Sequence, residues 1–188
     1  YKGWVDLVYE DQGPPFRLHA GNCVIQPPEI RHRVLFASDN IEVIEIGVPA
    51  EHVTTIDHHM ELPTEELRPD RVFSGQKFVH CQAHNAEWLP YRLSGFLAQD
   101  TSISHNTQAV ADVQIIKLGE GAPVWSTHNN DIHFTFVLDG SLTLEGGDQL
   151  GQRLVAGDAF VVPPGMQFRY STPSRDLSLL EVSLPGDV

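Results

Sequence analysis

The sequence predicts an all-β protein in which one β unit occurs twice, and two observations support this prediction. First, short runs rich in Val, Ile, Leu and Phe alternate with turn-forming Gly, Pro, Asn and Asp along most of the 188 residues. Second, when the sequence is shifted by 136 positions, residues 20–28 (AGNCVIQPP) align without a gap with residues 156–164 (AGDAFVVPP). Strands at such spacing are typical of a sandwich or a barrel.

Eight segments are enriched in the β-branched, aromatic and aliphatic residues that strands favour. In chain order they are residues 4–9, 23–25, 41–46, 111–118, 134–138, 142–144, 159–162 and 177–182. Residues 51–85 separate the first three segments from the others and are polar in their middle. We therefore predict that they form a linker with about one helical turn.

The repeat extends beyond its gapless part. At the same shift Glu45 aligns with Glu181, and a shift of one more residue aligns Gly3 with Gly140. The apolar positions of residues 41–46 also meet those of residues 177–182. Agreement at so many glycine, proline and apolar positions indicates that the two copies share a structure.

Composition excludes some classes of partner. The chain has 12 Lys and Arg against 25 Asp and Glu, which gives a formal net charge of −13. Binding to nucleic acid or to an anionic membrane surface needs clustered Lys and Arg, so neither partner is expected. No apolar run approaches the ~18 residues of a membrane span. Cys23 and Cys81 do not form a CxxC pair, and we expect two reduced thiols in a cytoplasmic protein.

Three segments resemble the cupin superfamily. Residues 157–165 (GDAFVVPPG) and 21–28 (GNCVIQPP) are similar to the start of its second motif, G-x5-P-x-G-x2-H-x3-N. Residues 133–140 (HFTFVLDG) are similar to the end of its first motif, G-x5-H-x-H-x3-4-E-x6-G. The resemblance implies a bicupin built from RmlC-like double-stranded β-helix (jelly-roll) barrels.

The resemblance also implies how the chain is divided. Residues 1–50 would be the C-terminal half of a first cupin barrel, 51–94 a linker and lead-in, and 95–188 a complete second barrel. An open half-barrel leaves backbone groups unpaired, which is costly. We therefore expect that Tyr1 is not the biological start, or that a partner chain completes the sheet. A signal peptide upstream of Tyr1 stays open as an alternative to a cytoplasmic protein.

Candidate metal ligands follow from the resemblance. In cupins, three His and one Glu converge on a divalent transition metal such as Fe, Mn, Ni or Zn. His32 falls at the last ligand position of the first copy, and the other three positions would precede residue 1. In the second copy His128 falls at the second His position and His133 at the Glu position. His32, His128 and His133 are thus the candidate metal ligands.

The second copy departs from the ligand pattern at two positions. Ser126 replaces the first His and Phe168 replaces the last one. One alternative is a weakened two-His metal site, and the other is a barrel that has lost its ion and kept its pocket. Thr135, Phe168 and Tyr170 are expected to line this pocket, and the aromatic rings would make it suit a small organic ligand.

The sequence leaves the function open between two classes. The chain is expected to be a small-molecule-binding bicupin, and the enzymatic hypothesis is a metal-dependent dioxygenase acting on a small organic substrate. The alternatives are a non-catalytic ligand-binding or regulatory cupin and a metal-dependent isomerase. A homodimer is expected from the resemblance, since cupins often pair through sheet edges.

Overall fold

The computed structural model describes residues 1–51, 55, 59, 61–147 and 149–186. The chain divides into two compact units, Tyr1–His80 and Cys81–Val188. Both are built mainly from β-strands, as the all-β prediction requires. In the part of the chain that the structure describes, no helix is long and apolar enough to cross a membrane.

The first unit is organised around a three-stranded antiparallel sheet. Its strands are β1 (Trp4–Tyr9), β2 (Phe16–His19), β3 (Cys23–Ile25), β4 (His32–Ala37), β5 (Val72–Phe73), β6 (Gln76–Lys77) and β7 (Val79–Cys81). The main sheet has the order β2-β1-β4, β3 pairs with β7, and β5 pairs with β6. Alternate side chains of a strand point to one face, and Leu7 and Tyr9 accordingly lie in a small core with Ile30 and Phe73.

The second unit contains two antiparallel sheets. Its elements are β8 (Trp88–Pro90), β9 (Phe96–Asp100), the short helix α1 (Ile103–Asn106), β10 (Asp112–Leu118), β11 (Ile132–Asp139), β12 (Ser141–Gly146), β13 (Gln149–Val155), β14 (Ala159–Val161), β15 (Phe168–Ser171) and β16 (Ser178–Leu184). One sheet has the order β14-β11-β16-β10-β9-β8 and the other the order β13-β12-β15. Apolar side chains of both sheets form one core, in which Ile116, Leu142, Phe168 and Leu179 are completely buried.

The pairing of β11 with β16 decides which side chains enter the barrel. His133 lies opposite Ser183, and Thr135 lies opposite Glu181. Residues that lie directly opposite each other on antiparallel strands project from the same face. All four side chains are almost completely buried, so the register places a polar layer beside the apolar core.

One turn recurs at aligned positions of the two units. Gly140 has φ +70°, and a Cβ added there would lie 2.4 Å from Oγ of Ser174. Gly3 has φ +77°, and its added Cβ would lie 2.3 Å from Oγ of Ser38. In each unit this serine Oγ accepts a hydrogen bond from the backbone N–H that follows the glycine, at 2.8 Å and 2.9 Å. Both turns need glycine, because only glycine combines this φ with so close an approach.

The predicted strand at 41–46 is wrong. Only Glu42 makes a backbone bridge, to Lys2, and Val43 and Ile46 are exposed. Its aligned counterpart in the second unit, β16, is paired on both sides, with β10 and β11. Among the described residues of the first unit no strand flanks 41–46, so strand-forming composition is present without the backbone partners that a sheet requires.

The predicted linker at 51–85 is also wrong in its second half. Residues 72–81 carry β5, β6 and β7, while the expected helical turn is confirmed as a 3₁₀ helix at Ala83–Asn85. The polar stretch before β5 is held to the first unit by ion pairs. Arg71 contacts Asp11 across 2.6 Å, and the Asp11 carboxylate is largely buried. Charged residues that suggested a solvated linker therefore anchor this segment.

Candidate functional site

A carboxylate lies inside the second unit and is surrounded by donors. Tyr170 donates to Oε1 of Glu181 at 2.9 Å, and Tyr91 donates to Oε2. Arg92 Nη2 makes a third, longer contact of 3.4 Å with Oε2. Burial raises the pKa of Glu181 above its ordinary value, although Arg92 and the two tyrosines oppose this by stabilising the charged form. Burial also raises the pKa of Tyr170 and of Tyr91, so both keep the hydroxyl protons that they donate.

Arg92 determines the protonation of His133. The guanidinium Nη2 lies 3.2 Å from Nε2 of His133, and a guanidinium only donates. Nε2 of His133 therefore accepts this hydrogen bond, and the ring proton is on Nδ1. Nδ1 in turn donates to Oγ of Ser183 at 3.1 Å. Both ring nitrogens of His133 are thus occupied by protein groups.

His128 has the opposite tautomer. Its Nε2 lies 2.9 Å from the carbonyl oxygen of Val162, and a carbonyl only accepts, so Nε2 carries the proton. In the neutral ring Nδ1 then presents a lone pair. This atom is buried, and within the described part of the chain it has no hydrogen-bond partner. The rings of His128 and His133 lie 4.7 Å apart between centroids, and Phe168 packs against both.

An open cleft borders this group of side chains. It has a volume of 380 Å³. Its lining residues are Arg92, Thr127, His128, Asn129, Asn130, Pro185 and Gly186. The Arg92 side chain is 29% exposed, so a molecule in the cleft has access to the guanidinium. Arg92 comes from the connection between β8 and β9, where a hydrogen bond from Tyr91 N to Phe96 O closes the turn.

Sequence comparison identifies part of the second unit. Residues 112–183 match the family model described as Cupin domain. These residues are a cupin domain. The match contains His128, His133 and Phe168, and it ends short of Arg92 on one side and of Pro185 on the other. No curated protein matches the chain by sequence.

Several solved structures superpose on part of this chain. KdgF from Halomonas sp. superposes with a TM-score of 0.48 at 18% identity, over 57% of this chain and 94% of that one. An RmlC-like cupin from Shewanella frigidimarina gives 0.46 at 19% identity, over 56% and 88%. The polyketide cyclase RemF from Streptomyces resistomycificus gives 0.46 at 15% identity, over 55% and 77%. At these identities the likeness concerns the fold alone.

The structure shows where the cupin domain's motif positions lie. Backbone hydrogen bonds of 2.9 Å in both directions join Ser126 to Phe168, so the two substituted ligand positions are neighbours. The rings of His128 and His133 both pack against Phe168. Thr135, Phe168 and Tyr170 lie in the buried interior, and His128 is the one predicted site residue of the described chain that lines the cleft.

His32 belongs to the other unit. It lies on β4, opposite Tyr9 of β1, and its ring stacks on that of Tyr9 with centroids 5.3 Å apart. The side chain is exposed. Phe16, which packs near Tyr9, also stacks on His80 at 4.3 Å, so His32 lies in an aromatic environment of the first unit.

Many cupins hold a divalent ion, but the donors of this cupin domain do not fit one. Two of the four ligand positions carry Ser126 and Phe168. His133 has both nitrogens engaged, and His128 has one, which leaves a single lone pair for an ion. Among the described residues no group of three or more His, Cys, Asp or Glu is arranged to hold a metal. The cation that contacts His133 and Glu181 is the guanidinium of Arg92.

Sequence reasoning missed Arg92, Tyr91 and Glu181. The sequence patterns do not single out Tyr91 or Arg92, and they show Glu181 only as a position of the repeat. A signal for Glu181 was present: in the run SLLEVSL of β16 a charged residue occurs two positions after Leu179, on the face that alternation assigns to the core. For Arg92 no such signal exists, because a side chain in a connection has no periodicity that shows where it points.

Proposed function

We propose that the cupin domain binds a small organic molecule in the cleft beside Arg92 and His128, without a divalent ion in its barrel. The observation that carries the proposal is the position of Arg92 Nη2, 3.2 Å from His133 Nε2 and 3.4 Å from Glu181 Oε2. Like unit charges 4 Å apart repel each other by about 4 kcal/mol at an effective dielectric constant of 20. A divalent ion at these donors would meet twice that repulsion.

The size and position of the cleft support this function. Ligand pockets generally have volumes of roughly 300–1,000 Å³, and this cleft is near the lower end. It borders a network of buried polar side chains in which Glu181 is held by Tyr91, Tyr170 and Arg92. Such a network keeps its members in fixed positions, as a binding site requires.

We further propose that the chain is a bicupin with a partial first unit. Support comes from the sheet orders β2-β1-β4 and β13-β12-β15, whose strands occupy aligned positions of the repeat. The turns at Gly3 and Gly140, each with its serine acceptor, add to this support. The bicupin arrangement concerns the origin of the two units, and the binding proposal does not depend on it.

A metal-dependent dioxygenase is the second candidate. The observation that favours it is the unpartnered Nδ1 of His128 beside the ring of His133. If Arg92 swings away from His133, Nε2 of His133 becomes available and two imidazoles face one space. Exposed His32 is a candidate ligand of a separate metal site in the first unit.

Two measurements on untagged protein test the binding function. In elemental mass spectrometry, we expect far less than one equivalent of metal, unchanged by His128→Ala/His133→Ala; near-stoichiometric metal lost in this variant would favour the dioxygenase. In nuclear magnetic resonance titrations with a mixture of cationic, anionic and uncharged fragments, we expect saturable shifts at Arg92 and His128. The absence of any shift in the cleft would overturn the binding function.

A further inference from the structure

Strand β4 (His32–Ala37) forms one edge of the three-stranded sheet of the first unit. In the described chain it pairs with β1 alone, so the backbone groups on its outer side have no strand partner. Five of its six side chains are exposed, and Leu35 is partly buried. An open edge of this kind is a template on which a further strand can pair.

The corresponding edge of the second unit is closed. At the shift of 136 residues Val34 of β4 aligns with Tyr170 of β15. Tyr170 is 2% exposed, whereas Val34 is 58% exposed. The outer edge of β15 also receives a backbone bridge, from Ser126 to Phe168. His32 aligns with Phe168, and among the described residues it has no such second bridge. The first unit thus exposes positions that the second unit covers within its own fold.

The open edge is apolar at its centre. Phe36 is 69% exposed and Val34 is more than half exposed. Natural sheets protect their edges with Lys, with Pro or with very short strands, whereas β4 has six residues and contains neither Lys nor Pro. A partner strand would remove both apolar side chains from water, which favours pairing.

The edge also carries one charge of each sign without a counter-ion. Arg33 lies near the start of β4, and each other Lys or Arg among the described residues of the first unit makes an ion pair. Asp39 lies in the turn that follows β4, is exposed and makes no ion pair in the described chain. Opposite charges therefore flank the two ends of the apolar segment.

We infer that β4 pairs with β4 of a second copy of this chain, antiparallel and across a two-fold axis. Antiparallel pairing of a strand with itself places its start beside the end of the other copy. Each Arg33 therefore comes near the partner's Asp39, and the symmetry forms this ion pair twice. The surface is complementary to itself in charge and in apolar character, as an interface between identical chains requires. The inference is independent of the binding function proposed for the cleft.

The short length of β4 determines how tightly two copies associate. A strand of six residues is roughly 20 Å long, and its edge buries less than the ~1,200 Å² of a stable interface. We therefore expect a reversible monomer–dimer equilibrium with a dissociation constant of roughly 1–100 μM.

Sedimentation velocity of the 188-residue chain tests this association. Between about 1 and 300 μM the average mass should rise from that of one chain toward that of two. Phe36→Asp places a charge in the apolar segment and should weaken dimerisation at least about tenfold. Leu150→Asp is the matched control, because Leu150 is 98% exposed on β13, an edge strand of the second unit, and it should leave the dimer intact.

A charge exchange tests the antiparallel arrangement. Arg33→Asp and Asp39→Arg each replace two ion pairs by two repulsions, so each should weaken dimerisation at least about threefold. Arg33→Asp/Asp39→Arg restores the opposite charges in exchanged positions and should return the dissociation constant to within about twofold of the original. Arg175→Asp, at an exposed position of the second unit, controls for the change in net charge.

Hydrogen exchange locates the contact in the original chain. The exchange of the β4 amides should slow as the protein concentration rises, while that of the β13 amides stays constant. Exchange of β4 that does not depend on concentration would mean that no second copy covers this edge. Circular dichroism and thermal unfolding of each variant identify any loss of dimer that is due to misfolding.

The remaining outcomes also decide the inference. A monomer at all concentrations overturns it, and so does association into a range of larger species. A dimer that persists in Phe36→Asp, or one that the charge exchange does not restore, shows that the copies meet elsewhere or in another arrangement. A dimer that is weakened by Phe36→Asp, restored by the charge exchange and accompanied by protection of β4 supports it.

Discussion

Nη2 of Arg92 donates a hydrogen bond across 3.2 Å to Nε2 of His133, the side chain at the Glu ligand position of the cupin motif. The contact occupies the lone pair that a metal would need. It also links the cleft to the buried interior, because His133 is completely buried and Arg92 is partly exposed. A guanidinium thus contacts His133, one of the candidate metal ligands.

Removal of this guanidinium should create weak metal binding. In Arg92→Ala, Nε2 of His133 loses its donor, and Nδ1 of His128 is already without a partner in the described chain. Two imidazoles suit Ni²⁺ or Zn²⁺. We expect Arg92→Ala to bind Ni²⁺ at least about tenfold more tightly than the original chain in equilibrium dialysis. Arg175→Ala is the control, and equal Ni²⁺ affinity of the original chain and Arg92→Ala would contradict the role given to Arg92.

The titration of Glu181 should make stability depend on pH. Since burial raises its pKa above 4.5, the folded state holds this proton more tightly than the unfolded chain does. The resulting stabilisation is fully present below about pH 4.5 and is lost as the pH rises through the raised pKa. In urea unfolding at pH 7, 6 and 5, the stability of the original chain relative to Glu181→Gln should therefore increase as the pH falls.

A control separates this effect from general acid effects. Glu120 is exposed, so Glu120→Gln should keep a nearly constant stability difference from the original chain over the same pH values. The opposite result is that the stability of the original chain relative to Glu181→Gln increases as the pH rises. It would mean that Arg92 and the tyrosines outweigh burial in setting the pKa of Glu181.

The parts of the site that were predictable from sequence are those set by local turn chemistry. Residues 162–167 connect β14 to β15, and Pro163, Pro164 and Gly165 restrict the backbone of this turn, which leads to Phe168 beside Ser126. The rings of His128 and His133, which are near each other in sequence, also lie together, with centroids 4.7 Å apart. These relationships depend on residues within one short segment or on adjacent strands.

The rest of the site depends on long-range pairing. Glu181 enters the site because β16 lies beside β11 in one particular register, and a slip by one residue would turn it outward. Arg92 reaches His133 from a turn 41 residues earlier in the chain. Composition and spacing carry no information on such a contact.

Three of the four tyrosines should resist ionisation in the folded protein. Burial raises the pKa of Tyr9, Tyr91 and Tyr170. In the unfolded chain a tyrosine ionises near pH 10, so folding stability should fall as the pH rises above about 10. Ultraviolet absorbance should show at most one tyrosinate before circular dichroism reports unfolding. A reversible signal of three or four tyrosinates in folded protein would contradict the burial of these side chains.

The turn before β12 should tolerate no side chain larger than hydrogen. In Gly140→Ala the new Cβ would lie 2.4 Å from Oγ of Ser174 and 2.8 Å from the backbone N of Leu177, and the residue would keep φ near +70°. Overpacking of this kind costs about 1–3 kcal/mol beyond the strain of a left-handed backbone. Chemical unfolding of the variant should show this loss.

Gly157→Ala is the matched control for that prediction. Gly157 has φ +95°, and no atom lies within 4 Å of its added Cβ, so the variant carries backbone strain without a clash. We expect Gly140→Ala to lose about 1–3 kcal/mol more stability than Gly157→Ala. Equal losses would mean that Ser174 moves aside without cost. In that case the hydrogen bond from Ser141 N to Ser174 Oγ would not be what holds this turn. The matching bond from Trp4 N to Ser38 Oγ would then not be expected to hold the turn of the first unit either.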